Sequence, residues 1–97
     1  MRQFDIVKLS GGALAVLVQA DLLDTTQTRV VIPLLPVKAV NPNPKLHPIV
    51  EVAGKPYLVA TEVLGAVLAK ELKQTIGSIS DRQWDIRRAL DLVFVGV

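Results

Sequence analysis

The only histidine of the chain, His47, stands in KLHPIV between apolar neighbours, with no Ser, Cys or paired carboxylate beside it to make a general base. It reads as a packed or partly exposed structural residue. Asp21 and Asp24 lie three apart in DLLDTTQT, a loop by composition, so turn and cap formation is the reading and an acid–base carboxylate pair the alternative. Arg29, at the head of RVVIPLL, is the one cation outside the terminal segment suited to hold a phosphate or an RNA, although strand-end arginines are more often solvated. Trp84, four residues before Arg88, reads as a ring lying across the fold under an arginine stem, with a binding hot spot as the alternative. No phosphate-cradling Gly-rich loop, no Gly-x-Ser-x-Gly elbow and no H-E-x-x-H pair is present. Without cysteine there is no disulfide, thiol chemistry or Cys-based zinc site, and one His cannot build a His-rich metal site. No catalytic residue, metal or cofactor is therefore expected.

What remains on offer is association, and it concentrates at the end of the sequence, SDRQWDIRRALDLVFVGV. Ser80 followed by Gln83 is a capping-box pattern that predicts a helix from about Asp81. Ile86, Ala89, Leu90, Val93 and Val97 recur at three-and-four spacing on one face, while Arg87 and Arg88 precede Asp91 on another. The close, Phe94-Val95-Gly96-Val97, is unusual, because apolar residues and a carboxylate stand where helix ends ordinarily fray and carry cations. Something must cover or bind that end: either the helix docks on its own domain, the commoner case, or its tip enters a partner.

Length and composition bound the answer. At 97 residues and 51% hydrophobic content, the expectation is one small soluble domain spanning residues 1–97, with part of its apolar surface buried against a second copy. The longest apolar run, Val30 to Val37, is too short to span a membrane and is broken by Pro33 and Pro36; no basic-then-apolar leader is present, so a cytoplasmic protein without membrane contact is expected. A net charge of +2, with no basic cluster beyond Arg87-Arg88, does not argue for nucleic-acid binding.

The elements that must position the terminal segment are mostly strands. Arg2 to Lys8 alternates like a half-buried strand, Ser10-Gly11-Gly12 turns the chain, and Ala13 to Gln19 is a continuous Val/Leu run, so the two form a predicted hairpin. The loop that follows carries two leucines, Leu22 and Leu23, that a plain surface loop does not need. Arg29 to Leu35 is strongly β-branched, and Pro33 predicts an edge, a bulge or a strand end there. PVKAVNPNPKLHP reads as an extended connection, and IVEV, Ala53-Gly54 and KPYLV as a second hairpin. Between Thr61 and Ile79 the spacing of Leu64, Val67, Leu68 and Leu72 predicts a helix, weakened by Gly65 and ended by Gly77. The sum is about five short antiparallel strands closed by one terminal helix, a small barrel or sandwich with a helical lid.

Taken together, QFDIV, VLVQADLLDTTQTRVVIPL, LHPIVEVAGKPYLV and DIRRALDLVFVGV resemble, in the same order and over nearly the whole chain, the CcdB-type toxins of bacterial toxin–antitoxin modules. The resemblance implies a mainly β fold, the small SH3-like barrel of the CcdB/MazF group, with an antiparallel sheet, a terminal α-helix and an irregular, strand-like region where local spacing predicts a helix. It implies a homodimer that is not an enzyme. Such a toxin inserts its terminal helix ends against the A subunit of DNA gyrase and traps the enzyme on cleaved DNA. Carried over, the gyrase-binding residues are Val95, Gly96 and Val97, with Phe94 and Asp91 behind them and Leu22 and Leu23 near the same surface. A CcdA-like antitoxin would fold over Leu9, Ser10, Gly11 and Gly12 and over the segment holding Asn41, Asn43 and Lys45. One departure is plain: the best-studied relatives carry Trp where this chain has Val95, and losing an aromatic anchor typically costs a few kcal/mol. A gyrase poison adapted to its own host, a toxin with another target, and a toxin that only binds its antitoxin all fit that departure. The competing class is a MazF-like endoribonuclease with Arg29 and Thr28 at its centre, against which the scattered basic residues weigh.

Overall fold

The computed structural model describes residues 1–39 and 43–96. The two apolar runs flanking the glycine pair are β1 (Asp5–Leu9) and β2 (Leu14–Leu17), paired antiparallel. Gly12 closes their turn at a φ of 90°, which a residue with a Cβ adopts only under strain, and donates its N–H to the Leu9 carbonyl at 2.9 Å. β3 (Thr28–Pro36) follows a single-turn helix at Asp21–Leu23. β4 (Ile49–Val52) and β5 (Lys55–Val59) meet at Ala53-Gly54, where both residues have positive φ, 53° and 77°, as the tight hairpin turn requires. β6 (Gly65–Leu68), β7 (Leu72–Ser78) and the terminal helix α1 (Gln83–Phe94) complete the chain.

The strands lie in the order β4-β5-β3-β2-β1-β7, with β6 added against β3, and all pairings are antiparallel. Among the described residues, seven strands therefore stand where about five were expected. Pro33 falls inside β3, where the pairing changes hands: Thr28 to Val31 pair with β6, Leu34 to Pro36 with β5, and the Pro33 carbonyl accepts from Ala60. A residue without an N–H suits that handover, because no ladder bond is asked of its nitrogen.

Strand alternation divides the core in two. Ile6, Val16 and Ile32 point to one face and join Phe4, Val50, Val59, Ile79 and Ile86 of α1. Val7, Ala15, Leu17 and Val31 point to the other, where Leu9, Val67 and Leu72 pack on them as the sheet curls into a half-barrel. This two-sided burial explains why Ala13 to Val18 is continuously apolar rather than alternating.

Two local expectations fail. Thr61 to Ile79 is not a helix; it is β6 and β7 separated by single-turn helices at Thr61–Val63 and Ala69–Glu71. Its leucines and valines part company accordingly, Leu64 to the core under α1 and Val67 and Leu72 to the opposite face, while Leu68 stays exposed. The open edges of β3 and β1 offer this segment a full set of ladder bonds, and that outweighs its modest helix propensity. Nor does the capping box form. Ser80–Arg82 is a tight single turn, Arg82 takes the N-cap position without a side-chain cap, and Gln83 donates back to the Ser80 carbonyl at 3.1 Å. Burial of Ile79, whose N–H is tied to the Phe4 carbonyl, sets that entry angle.

Candidate functional site

The end of α1 is a bare apolar tip. Phe94 and Val95 are 69% and 67% exposed, and Asp91 lies exposed one turn before Val95. Gly96 stops the helix: at a φ of 79° it shares its N–H between the Leu92 carbonyl at 3.1 Å and the Asp91 carbonyl at 3.3 Å, an αL termination that favours glycine. Val97 lies outside the described residues.

The other end of α1 is fastened. Arg82 donates through Nε to Asp85 at 2.8 Å and through Nη1 to the Ile49 carbonyl of β4 at 2.8 Å. The Arg82 hydrogen bond, helped by the charges of Arg82 and Arg88, holds the Asp85 carboxyl below its ordinary value. Arg88 faces Asp85 at 3.6 Å rather than Asp91, so the acid expected to pair with the two arginines stays out of that network.

Trp84 is not laid across the barrel. The residue is 65% exposed, and the Arg87 guanidinium sits over its ring at 5.2 Å while also lying 5.6 Å from the centroid of Phe4. The inner side of α1 is already filled by Ile86, Ala89 and Leu90, so the Trp84 position faces out. Phe4 itself is buried at a φ of 70°, a left-handed conformation held by its bonds to Leu17 and Ile79.

Leu22 and Leu23 occupy the turn Asp21–Leu23 and are 88% and 49% exposed. Asp21 accepts from the Gln3 N–H at 2.7 Å, which ties that turn to the segment carrying Phe4. Arg29 donates to the carbonyls of Asp24, Thr26 and Thr28, so its guanidinium braces this loop from within.

The residues expected to meet an antitoxin fall in two places. Leu9, Ser10, Gly11 and Gly12 form the end of β1 and its turn, where Ser10 bonds Glu71 through backbone and hydroxyl. Asn43 and Lys45 belong to a turn in which the Asn43 carbonyl accepts from Leu46 and His47; Asn41 lies outside the described residues. Beside that turn an open groove of about 920 Å³ runs along α1, and Lys45, Asp91 and Gly96 all line it. The fold thus brings one expected antitoxin residue and two tip residues to one surface feature.

Sequence reasoning missed the role of His47. Its Nδ1 accepts from the Asn43 N–H at 3.0 Å, which places the proton of the neutral ring on Nε2, directed at Glu62 at 2.6 Å. This nearly buried histidine clamps the groove wall to the turn Thr61–Val63, on which α1 packs. A partner fifteen residues away leaves no local signal.

The fold is a curled antiparallel sheet with a terminal helix, and solved structures share it. Similar solved structures are the Mycobacterium tuberculosis toxin MazF-mt6, at TM-score 0.79 and 14% identity over 97% of each chain, and an endoribonuclease from a mycobacterial species, at TM-score 0.77 and 14% identity over 100% of this chain and 92% of that one. An endoribonuclease in complex with its cognate antitoxin, also mycobacterial, superposes at TM-score 0.81 and 12% identity over 100% and 96% of the two chains. The sequence profile of the CcdB protein family matches residues 3–96, and the chain belongs to that family. It is a toxin of the type II toxin–antitoxin class.

The expectation that the protein is not an enzyme is corrected by these neighbours. Two of the structures sharing its fold are endoribonucleases, so a non-catalytic character does not follow from this architecture. Among the described residues, no helix is long and apolar enough to cross a membrane.

Proposed function

We propose that this toxin acts by docking the end of α1 on the A subunit of DNA gyrase, as a homodimer that presents two such ends. The observation that carries the reading is the tip: two large apolar side chains held out in solvent, on a helix stopped by Gly96 and anchored at its other end. Exposed apolar side chains on a rigid support enter a partner's pocket at little entropic cost. A cognate antitoxin covers the groove shared by Lys45, Asp91 and Gly96, and so competes with the target for the tip. An antitoxin is also the partner of one mycobacterial endoribonuclease of this fold.

A second reading, cleavage of RNA, draws on the fold likeness to endoribonucleases and on Arg29 with Thr28 at the head of β3. For Arg29 to reach a phosphate, its bonds to the loop carbonyls must first be released.

One experiment separates the two. Purified protein is incubated with gyrase of the source organism and supercoiled DNA, and separately with single-stranded RNA, comparing the intact chain with one lacking residues 95–97 and with Arg29→Ala. Linear DNA that accumulates with the intact chain and vanishes on truncation is the expected result. RNA fragments that vanish in Arg29→Ala, without linear DNA, would establish the second reading instead.

A further inference from the structure

Of the described tip residues, Phe94 and Val95 together offer roughly 250 Å² of apolar surface, whereas a specific complex buries about 800 Å² on each partner. A target that seats the tip must therefore cover more of the molecule. Trp84, Arg88, Asp91 and Val95 stand at i, i+4, i+7 and i+11, which places them on one stripe of α1, and all four are exposed. The stripe runs about 16 Å from the tip toward the helix start. Trp84 carries by far its largest apolar surface, and it lies at the far end from Val95.

We infer that Trp84 is the second anchor of the target contact, so that the gyrase A subunit lies along the stripe from Val95 to Trp84 rather than on the tip alone. This rests on the docking proposed above. Three observations support it. Trp84 is 65% exposed although a solvent-facing Trp contributes little to folding. It is also ordered before any partner arrives, because Arg87 is stacked between it and Phe4, at 5.2 and 5.6 Å, and Arg87 is further held by Gln83. Phe4 in turn is fixed by backbone bonds to Leu17 and Ile79, so the clip is built on the core and little conformational freedom is lost on binding. Finally, the stripe sets charged groups of both signs, Arg88 and Asp91, between its two apolar ends, which suits a protein surface; Asp91 would repel a phosphate backbone.

Trp84 is the only tryptophan of the chain, so 5-fluorotryptophan incorporation gives a single ¹⁹F resonance that reports on this site. The full-length protein so labelled is titrated with unlabelled gyrase A subunit from the source organism, and the affinities of wild type, Trp84→Ala and Trp84→Phe are measured by calorimetry. Thermal melts are run as a folding control. The expected result is a shifted or broadened resonance that saturates with binding, an affinity about 30-fold weaker in Trp84→Ala, largely restored in Trp84→Phe, and melting unchanged. Binding with an unmoved resonance, or with Trp84→Ala as tight as wild type, would overturn the anchor and leave the tip docking standing. Absence of any binding, by wild type as well, would remove the gyrase partner and this inference with it.

Discussion

At the start of α1, Arg82 reaches both Asp85 and the Ile49 carbonyl, and Ile86 and Ala89 have no exposed surface. At its end, Phe94 and Val95 touch mostly solvent, and the last turn is closed by backbone bonds from Val95 and Gly96 to the Asp91 and Leu92 carbonyls. The same helix is a structural member over its first turns and an exposed projection over its last. Anchoring at one end is what makes the other useful, because a tip on a fixed axis can be presented in one orientation. Trp84 belongs in sequence to the anchored end and in exposure to the projecting one.

Four substitutions sharpen or break that contrast, ranked by their expected effect on folding. Ile86→Ala leaves a cavity in the core beneath α1 and should cost about 3 kcal/mol, read as a lower urea midpoint at unchanged slope. A cost below about 1 kcal/mol would mean that the helix start is not the anchored end. Arg82→Ala removes the bond to Ile49 and should cost about 1 kcal/mol in the same assay; no change would leave packing as the only fastening.

Asp85→Asn tests the electrostatic part. The folded protein holds the Asp85 carboxyl below its ordinary value, chiefly through the Arg82 hydrogen bond. Its contribution is therefore present above the unfolded value and lost as the pH falls through the folded one. The gap in melting temperature between wild type and Asp85→Asn should be constant near neutrality and close only below about pH 4. A gap that widened in acid would contradict the assignment. Val95→Asp should have the smallest effect on folding, within about 0.5 kcal/mol of wild type, while abolishing capture of the gyrase A subunit on an affinity column. A large loss of stability would show that the tip packs on its own chain.

Much of this contrast was legible beforehand. The two glycine-closed hairpins follow from strand-type runs broken by Gly11-Gly12 and Gly54, and the amphipathic spacing of Ile86 and Ala89 marks the buried face of α1. The apolar tip is visible in Phe94-Val95-Gly96 because a last helical turn without cations is uncommon. Other features had no local signature. The Arg87 stack joins Phe4 and Trp84 across eighty positions, the His47–Glu62 contact crosses two turns, and the groove arises only when the Asn43 turn is laid beside α1.

The amino-acid sequence by itself determined the short-range geometry: hairpin turns where glycine relieves positive φ, strands where β-branched residues cluster, and a terminal helix whose spacing separates a packed face from a wet one. Tertiary structure alone decided the fate of Thr61 to Ile79, where the unpaired edges of β3 and β1 supply more hydrogen bonds than a short, glycine-weakened helix could keep. It also decided which arginine fastens α1 and which is stacked over Trp84, since partners at a distance in sequence are chosen by how the sheet curls and by where the helix axis comes to rest on it.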